Sequence, residues 1–159
     1  MASDIFAKIG DIKGESLDAK HKDEVEVLSW SWGVSQTGNL PQGSGGGSGK
    51  ASFSDVHFTH HIDKASPLLM KACATGMHIK DATITARKAG KGQQEYLIFK
   101  MNDILITSVQ PALNGGESSI ESVSLQAAKV DLEYKPQKPD GSLDAGVHFK
   151  YDIKLNKVG

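Results

Sequence analysis

Hydrophobic and polar residues alternate along much of this chain with a period of two. From Val147 to Leu155, apolar Val147, Phe149, Tyr151, Ile153 and Leu155 interleave with His148, Lys150, Asp152 and Lys154. Side chains on a strand point to opposite faces in turn, so the pattern predicts a strand with one buried and one solvated face. The stretch from Val123 to Tyr134 follows the same rule with a change of phase. Val123, Leu125 and Ala127 share one parity; Ala128, Val130, Leu132 and Tyr134 share the other. One extra residue keeps both halves facing inward, which predicts a β-bulge near Ala127-Ala128. Further strands are predicted over 5–12, 25–36, 52–63, 79–88, 95–102 and 104–109. Turn-forming runs separate several of them: Lys88-Ala89-Gly90-Lys91-Gly92, Asn102-Asp103, Asn114-Gly115-Gly116 and Pro139-Asp140-Gly141.

One helix is signalled, over about 66–75. Ser66 suits its N-cap, Pro67 its first position and Gly76 the left-handed residue after its end. Leu69 and Cys73 fall four apart on one face. So short a helix is marginal alone in water and has to pack on the sheet. The expected fold is mainly β, an antiparallel β-barrel or sandwich in one domain spanning 1–159, with a short flanking α-helix. The exception to the pattern is a long glycine-rich extended loop at about 37–51, carrying Gly38, Asn39, Leu40, Pro41, Gln42, Gly43, Ser44, Gly45, Gly46, Gly47, Ser48, Gly49 and Lys50. A loop this long either binds something or stays disordered, and its composition alone favours a flexible spacer.

Charge narrows the partners. Against 18 Lys+Arg stand 19 Asp+Glu, a formal net charge of -1. A polyanion gains little from that balance, so neither nucleic acid nor an anionic membrane is an expected partner. Arg87 is the sole arginine, which leaves almost no bidentate readout of bases or phosphates. Cys73 is the sole cysteine, so no intrachain disulfide and no cysteine zinc cluster can form. Met1-Ala2-Ser3-Asp4-Ile5-Phe6-Ala7-Lys8 has neither a charged n-region nor an apolar h-region. No classical signal peptide is expected. The chain is expected to be made in the cytoplasm and, if exported, to leave by another route. The longest uncharged stretch, 27–49, is broken by polar residues and glycines, so no membrane insertion is expected.

Several constellations invite a chemical reading and fail on geometry. A P-loop ending at Gly49-Lys50 needs glycine where Ser44 stands and Ser or Thr where Ala51 stands. The dinucleotide pattern needs glycine at Ser48, and both need a following helix where a strand is predicted. His57 and His61 share a strand face about 13 Å apart, too far to chelate one zinc ion. His60 points to the other face, and all three histidines are expected to be partly exposed sheet positions. Cys73 sits near a helix C-terminus, where a thiolate is disfavoured, and reads as a small buried hydrophobe. Ser54 would face away from Asp55 and His57, so no triad forms. No catalytic residue, no metal and no cofactor is expected. In Leu28-Ser29-Trp30-Ser31-Trp32-Gly33 the two tryptophans share the core face, and Ser29, Ser31 and Gly33 share the other. Such a wall of small uncharged groups suits a solvated passage or a close protein contact, and equally an ordinary exposed face.

These pieces occur in a recognisable order. Ile9-Gly10-Asp11-Ile12-Lys13-Gly14-Glu15-Ser16 precedes Val27-Leu28-Ser29-Trp30-Ser31-Trp32-Gly33 and the glycine-rich loop. Ser66-Pro67-Leu68 and Ala72-Cys73-Ala74-Thr75-Gly76 bracket the helix, and Arg87-Lys88-Ala89-Gly90 and Glu95-Tyr96-Leu97 follow. Together they resemble Hcp, the haemolysin-coregulated tube subunit of the bacterial type VI secretion system. The resemblance implies a structural, non-enzymatic β-barrel that forms homohexameric rings. Those rings stack into a hollow tube inside a contractile sheath, behind a spike tip protein. It implies secretion without a signal peptide, and small effector proteins as cargo. On that reading the 37–51 loop is an assembly arm, and Ser29, Ser31 and Gly33 are expected to face the lumen. A barrel that carries a small ligand is the alternative.

Overall fold

The computed structural model describes residues 3–38, 50–89, 92–116 and 118–159. The part of the predicted arm from Asn39 to Gly49 lies outside the described residues, as do Gly90 and Lys91 of one predicted turn. Six antiparallel strands close into a barrel: β1 (Ser3–Ile9), β2 (Val25–Ser31), β5 (Val56–His61), β6 (His78–Lys88), β7 (Glu95–Leu113) and β8 (Ser119–Tyr134). The order round the barrel is β8-β5-β2-β1-β6-β7, and pairing of β7 with β8 shuts it. A ribbon of β3 (Val34–Ser35) and β4 (Ser52–Phe53) pairs apart from the barrel, and β9 (Val147–Asp152) with β10 (Lys157–Val158) extends the sheet beyond β8. Strand β8 pairs with β7 along its length, with β5 through residues 120–125 and with β9 through 129–134.

The inward residues of each strand fill the barrel. Val25, Phe58, Phe99, Met101, Ile104, Val123 and Leu125 are all buried, each stabilising the fold by about 1.5–3 kcal/mol through the surface it hides. The helix α1 (Ala65–Thr75) packs on β7 through buried Leu69 and Ala72. It starts two residues before the first position that its sequence signals imply, and Ser66 is not its cap. Asp63 Oδ1 instead accepts the Ala65 amide at 2.9 Å, while Ser66 Oγ accepts the Asp63 amide at 3.1 Å. Gly76 closes the helix at φ 65° as predicted. Cys73 is half-buried rather than buried.

Four strand expectations need correcting. The stretches at 95–102 and 104–109 are one strand, because Asp103 adopts φ 54° and lets β7 bend without a turn. No bulge occurs at Ala127-Ala128: one register runs from Leu97↔Tyr134 to Ile106↔Leu125. Both strands change phase together at that corner, so neither needs an extra residue. The inserted residue is Thr107 on β7, between Ile106↔Leu125 and Ser108↔Ser124. Expected strands 25–36 and 52–63 each break where Gly33 and Ser54 bond to each other. The last strand stops at Asp152, whose Oδ1 accepts the Leu155 amide and turns the chain, and its apolar face is only partly covered, with Val147 67% exposed.

Candidate functional site

The β2–β5–β8–β7 side of the barrel presents two rows of residues to the outside. Register places Ser31, His57, Ser124 and Ser108 side by side in one row, and Ser29, Thr59, Ser122 and Gln110 in the other. Between them lies a row of opposite parity, Trp30, Phe58, Val123 and Val109, whose side chains pack into the core. Alternation on four aligned strands thus sorts the apolar groups inward and leaves eight hydrogen-bonding side chains outside. Ser29 Oγ lies 2.6 Å from Thr59 Oγ1, and His57 Nδ1 lies 3.0 Å from Ser124 Oγ. At one end Asp55 accepts hydrogen bonds from Thr107 Oγ1 at 2.8 Å and Gln126 Nε2 at 3.0 Å, so its charge is tied down.

Ser29 and Ser31 lie on this wall as the alternation predicts. Gly33 does not continue it as part of β2: the strand ends at Ser31, and the Gly33 amide and carbonyl are both held by Ser54. Lys50 is exposed beside β4, and Gly38 has open space around it. His57, Thr59, Ser122, Ser124, Ser108 and Gln110 were not legible as members, because nothing local ties their registers to β2. The Ser-x-Ser spacing of Ser122 and Ser124 was the available clue.

The wall also has two open sides. On β2, Val25–Val27 pair with β1, and among the described residues 28–31 pair with no strand on that side. On β7, pairing with β6 ends at Leu105, and among the described residues 108–113 have no strand partner on that side. Pro111, which has no amide to donate, lies within this stretch, as an edge strand allows. The four strands form a hydroxyl-rich patch with a free edge at each flank.

The remaining candidates are engaged elsewhere. Ser54 holds Gly33 and Asp55 holds Thr107 and Gln126, while His57 Nδ1 meets Ser124 Oγ, so Ser54, Asp55 and His57 do not bond to one another. Among the described residues no cluster of three or more His, Cys, Asp or Glu could hold a metal ion. His60 departs from expectation: it is fully buried, with Nε2 2.8 Å from Glu121 Oε1. Burial also pushes the neighbouring Asp63 carboxyl up from its ordinary value.

The opposite side of the barrel is roofed by the strap 10–24, between β1 and β2. Phe6 points outward there yet is buried, with His21 stacked on its ring at 4.4 Å and the Arg87 guanidinium 4.8 Å from its centre. Arg87 forks onto both oxygens of Asp18 at 2.9 and 2.5 Å. Chiefly through that bond, the Asp18 carboxyl falls to about 2. The sole arginine is a structural tie and is not free to read a ligand.

The barrel with its flanking helix matches known proteins along nearly its whole length. Residues 6–134 match the family described as type VI secretion system effector, Hcp. The chain belongs to the Hcp family. It is 48% identical to the protein hcp1 of Pseudomonas aeruginosa over 98% of each chain. Among solved structures it is similar to Hcp1 of Salmonella typhimurium, at 39% identity and a TM-score of 0.79 over 99% of both chains. A type six secretion system protein superposes with a TM-score of 0.91 at 26% identity, covering 99% of this chain and 100% of that one. Hcp proteins are secreted structural tube proteins rather than enzymes, in keeping with the type VI secretion system that the family description names. No described helix of this Hcp chain is long and apolar enough to cross a membrane.

Proposed function

We propose that this Hcp chain forms a closed ring of six copies with the hydroxyl wall turned toward a central lumen. The observation that carries the reading is the pair of free edges flanking the wall. In the order β2-β5-β8-β7 neighbours are antiparallel, so β7 runs opposite to β2. Setting the β7 edge of one copy against the β2 edge of the next therefore continues the same antiparallel sheet from subunit to subunit. Two different patches meet in such a contact, and a rotation that closes turns it into a ring. Small uncharged groups keep the passage open. Rings then stack into a tube within a contractile sheath and behind a spike tip protein, with small effector proteins carried in the lumen. The glycine-rich segment 37–51 serves as the arm that reaches neighbouring copies, and the tube leaves the cytoplasm without a signal peptide.

The first test is the mass in solution by light scattering. The reading expects a species of six times the 17.0 kDa subunit, with a central hole on imaging; a monomer at high concentration refutes it. The second is Ser31→Gln, which places a longer side chain in the wall. Cargo retention should fall, and unchanged retention removes Ser31 from the lumen.

A further inference from the structure

Behind the wall, His60 on β5 and Glu121 on β8 are directly opposed across the sheet and fully buried. His60 Nδ1 lies 3.8 Å from Asp63 Oδ2, beyond hydrogen-bond range. Neither that nitrogen nor Glu121 Oε2 has a hydrogen-bond partner among the described residues. The pair is only half satisfied, and a well-packed apolar pair of similar volume is often at least as stable in such a place. Stability alone gives no reason for it.

We propose that His60 and Glu121 are positioning residues that fix the register of β5 on β8, and through it the alignment of the wall. The apolar residues specify only which face is buried. A slip of one residue would turn the apolar set of one strand, Phe58 on β5 or Val123 on β8, out to the wall, so the core forbids it. A slip of two keeps Val56, Phe58, Val123 and Leu125 inside, and the apolar pattern barely resists it. That slip would set Glu121 against Phe58 or Ile62, and His60 against Val123 or Ser119, burying a carboxylate with no donor. Only the observed register brings the two together at 2.8 Å. The apolar groups choose the face and the polar pair chooses the step.

A step of two residues moves β8 about 7 Å along β5. It would separate Ser124 from His57 and carry the free edge of β7 out of line with that of β2. This last consequence rests on the ring reading above; the register role does not.

Disulfide reporters in the full chain, with Cys73→Ala removing the native thiol, test the proposal. Thr59→Cys with Ser122→Cys joins directly opposed positions and reports the observed register. Thr59→Cys with Ser124→Cys, or with Ile120→Cys, reports a slip of two. The parent should form the first disulfide almost alone. In the combined variant His60→Leu with Glu121→Leu, slip disulfides should rise about tenfold, the change that about 1.4 kcal/mol of register preference produces. Its melting temperature should not fall, whereas a purely structural pair would lower that temperature and leave the reporters unchanged. A folded Leu/Leu variant that forms only the first disulfide overturns the proposal. If that variant does not fold, the exchanged pair His60→Glu with Glu121→His decides. It keeps the interaction in the observed register and should form the first disulfide alone; slip disulfides there overturn the proposal. A monomeric parent with the expected reporter pattern would count against the ring and leave the register role standing.

Discussion

Phe58→Ala tests whether the wall depends on the row of core residues behind it. Phe58 is fully buried on β5, between Trp30 on β2 and Val123 on β8. Removing its ring forfeits about 2 kcal/mol of apolar burial. It also leaves a cavity on the order of 100 Å³, which at about 24 cal/mol per Å³ costs roughly another 2 kcal/mol. A total near 4 kcal/mol is a large share of the roughly 5–15 kcal/mol that holds a domain together. The midpoint of thermal unfolding should fall by about 8–16 °C. Trp30 and Trp32 lie 5.5 and 4.7 Å from the ring of Phe99 in the same core, so tryptophan fluorescence during urea unfolding reads the change directly. Measurements belong at equal protein concentration, since assembly stabilises the folded chain by mass action. A loss below about 1 kcal/mol would mean that the site collapses freely, and the rigid backing assigned to the wall would be wrong.

Two further outcomes follow from the strap. The Asp18 carboxyl is lowered from an ordinary 3.8 to about 2 by its bond to Arg87, so the unfolded chain takes up that proton first as the solution is acidified. The stabilisation is complete above about pH 4 and disappears as pH falls through 2; Asp18→Asn should flatten the stability profile across that window, and an unchanged profile would refute the tie. Gly14→Ala places a Cβ 2.6 Å from the Glu24 carbonyl oxygen and 2.9 Å from Val25 Cα. These are backbone atoms with little freedom to retreat, so the strap should lift at a cost of about 1–3 kcal/mol. Trypsin should then cut faster at exposed Lys20 and Lys22, and parent-like resistance would show that the strap yields without strain.

Local alternation made the barrel legible, since it needs only that neighbouring side chains point in opposite directions. Gly76 announced the helix end because a left-handed residue there favours glycine. What the sequence hid depends on partners far along the chain. His60 has the parity of Val56 and Phe58, and Glu121 that of Val123 and Leu125, yet His60 is expected from sequence to be partly exposed. Their polarity argued for exposure, and only their meeting makes burial tolerable. Asp103 was misread as a turn because aspartate serves both turns and bends, and the continuous pairing on either side decides between them. The eight-residue wall is a property of register between four strands, two of whose members, Ser29 and Ser31, lay on a segment distinctive enough to single out.

The place of β1 in the barrel bears on how the chain is made. Its seven residues all pair with β6, from Ser3↔Lys88 to Ile9↔Ala82. During synthesis at about 5–20 residues per second, β1 therefore emerges several seconds before β6 exists, with only residues 25–27 of β2 to pair with sooner. The long hairpin of β7 and β8 joins strands that are neighbours in sequence and can close within microseconds of completion. β1 thus waits longer for β6 than β7 waits for β8. A nascent chain stopped before residue 78 holds β1, β2 and β5 with no barrel to close, and its apolar faces are open to whatever else is in reach.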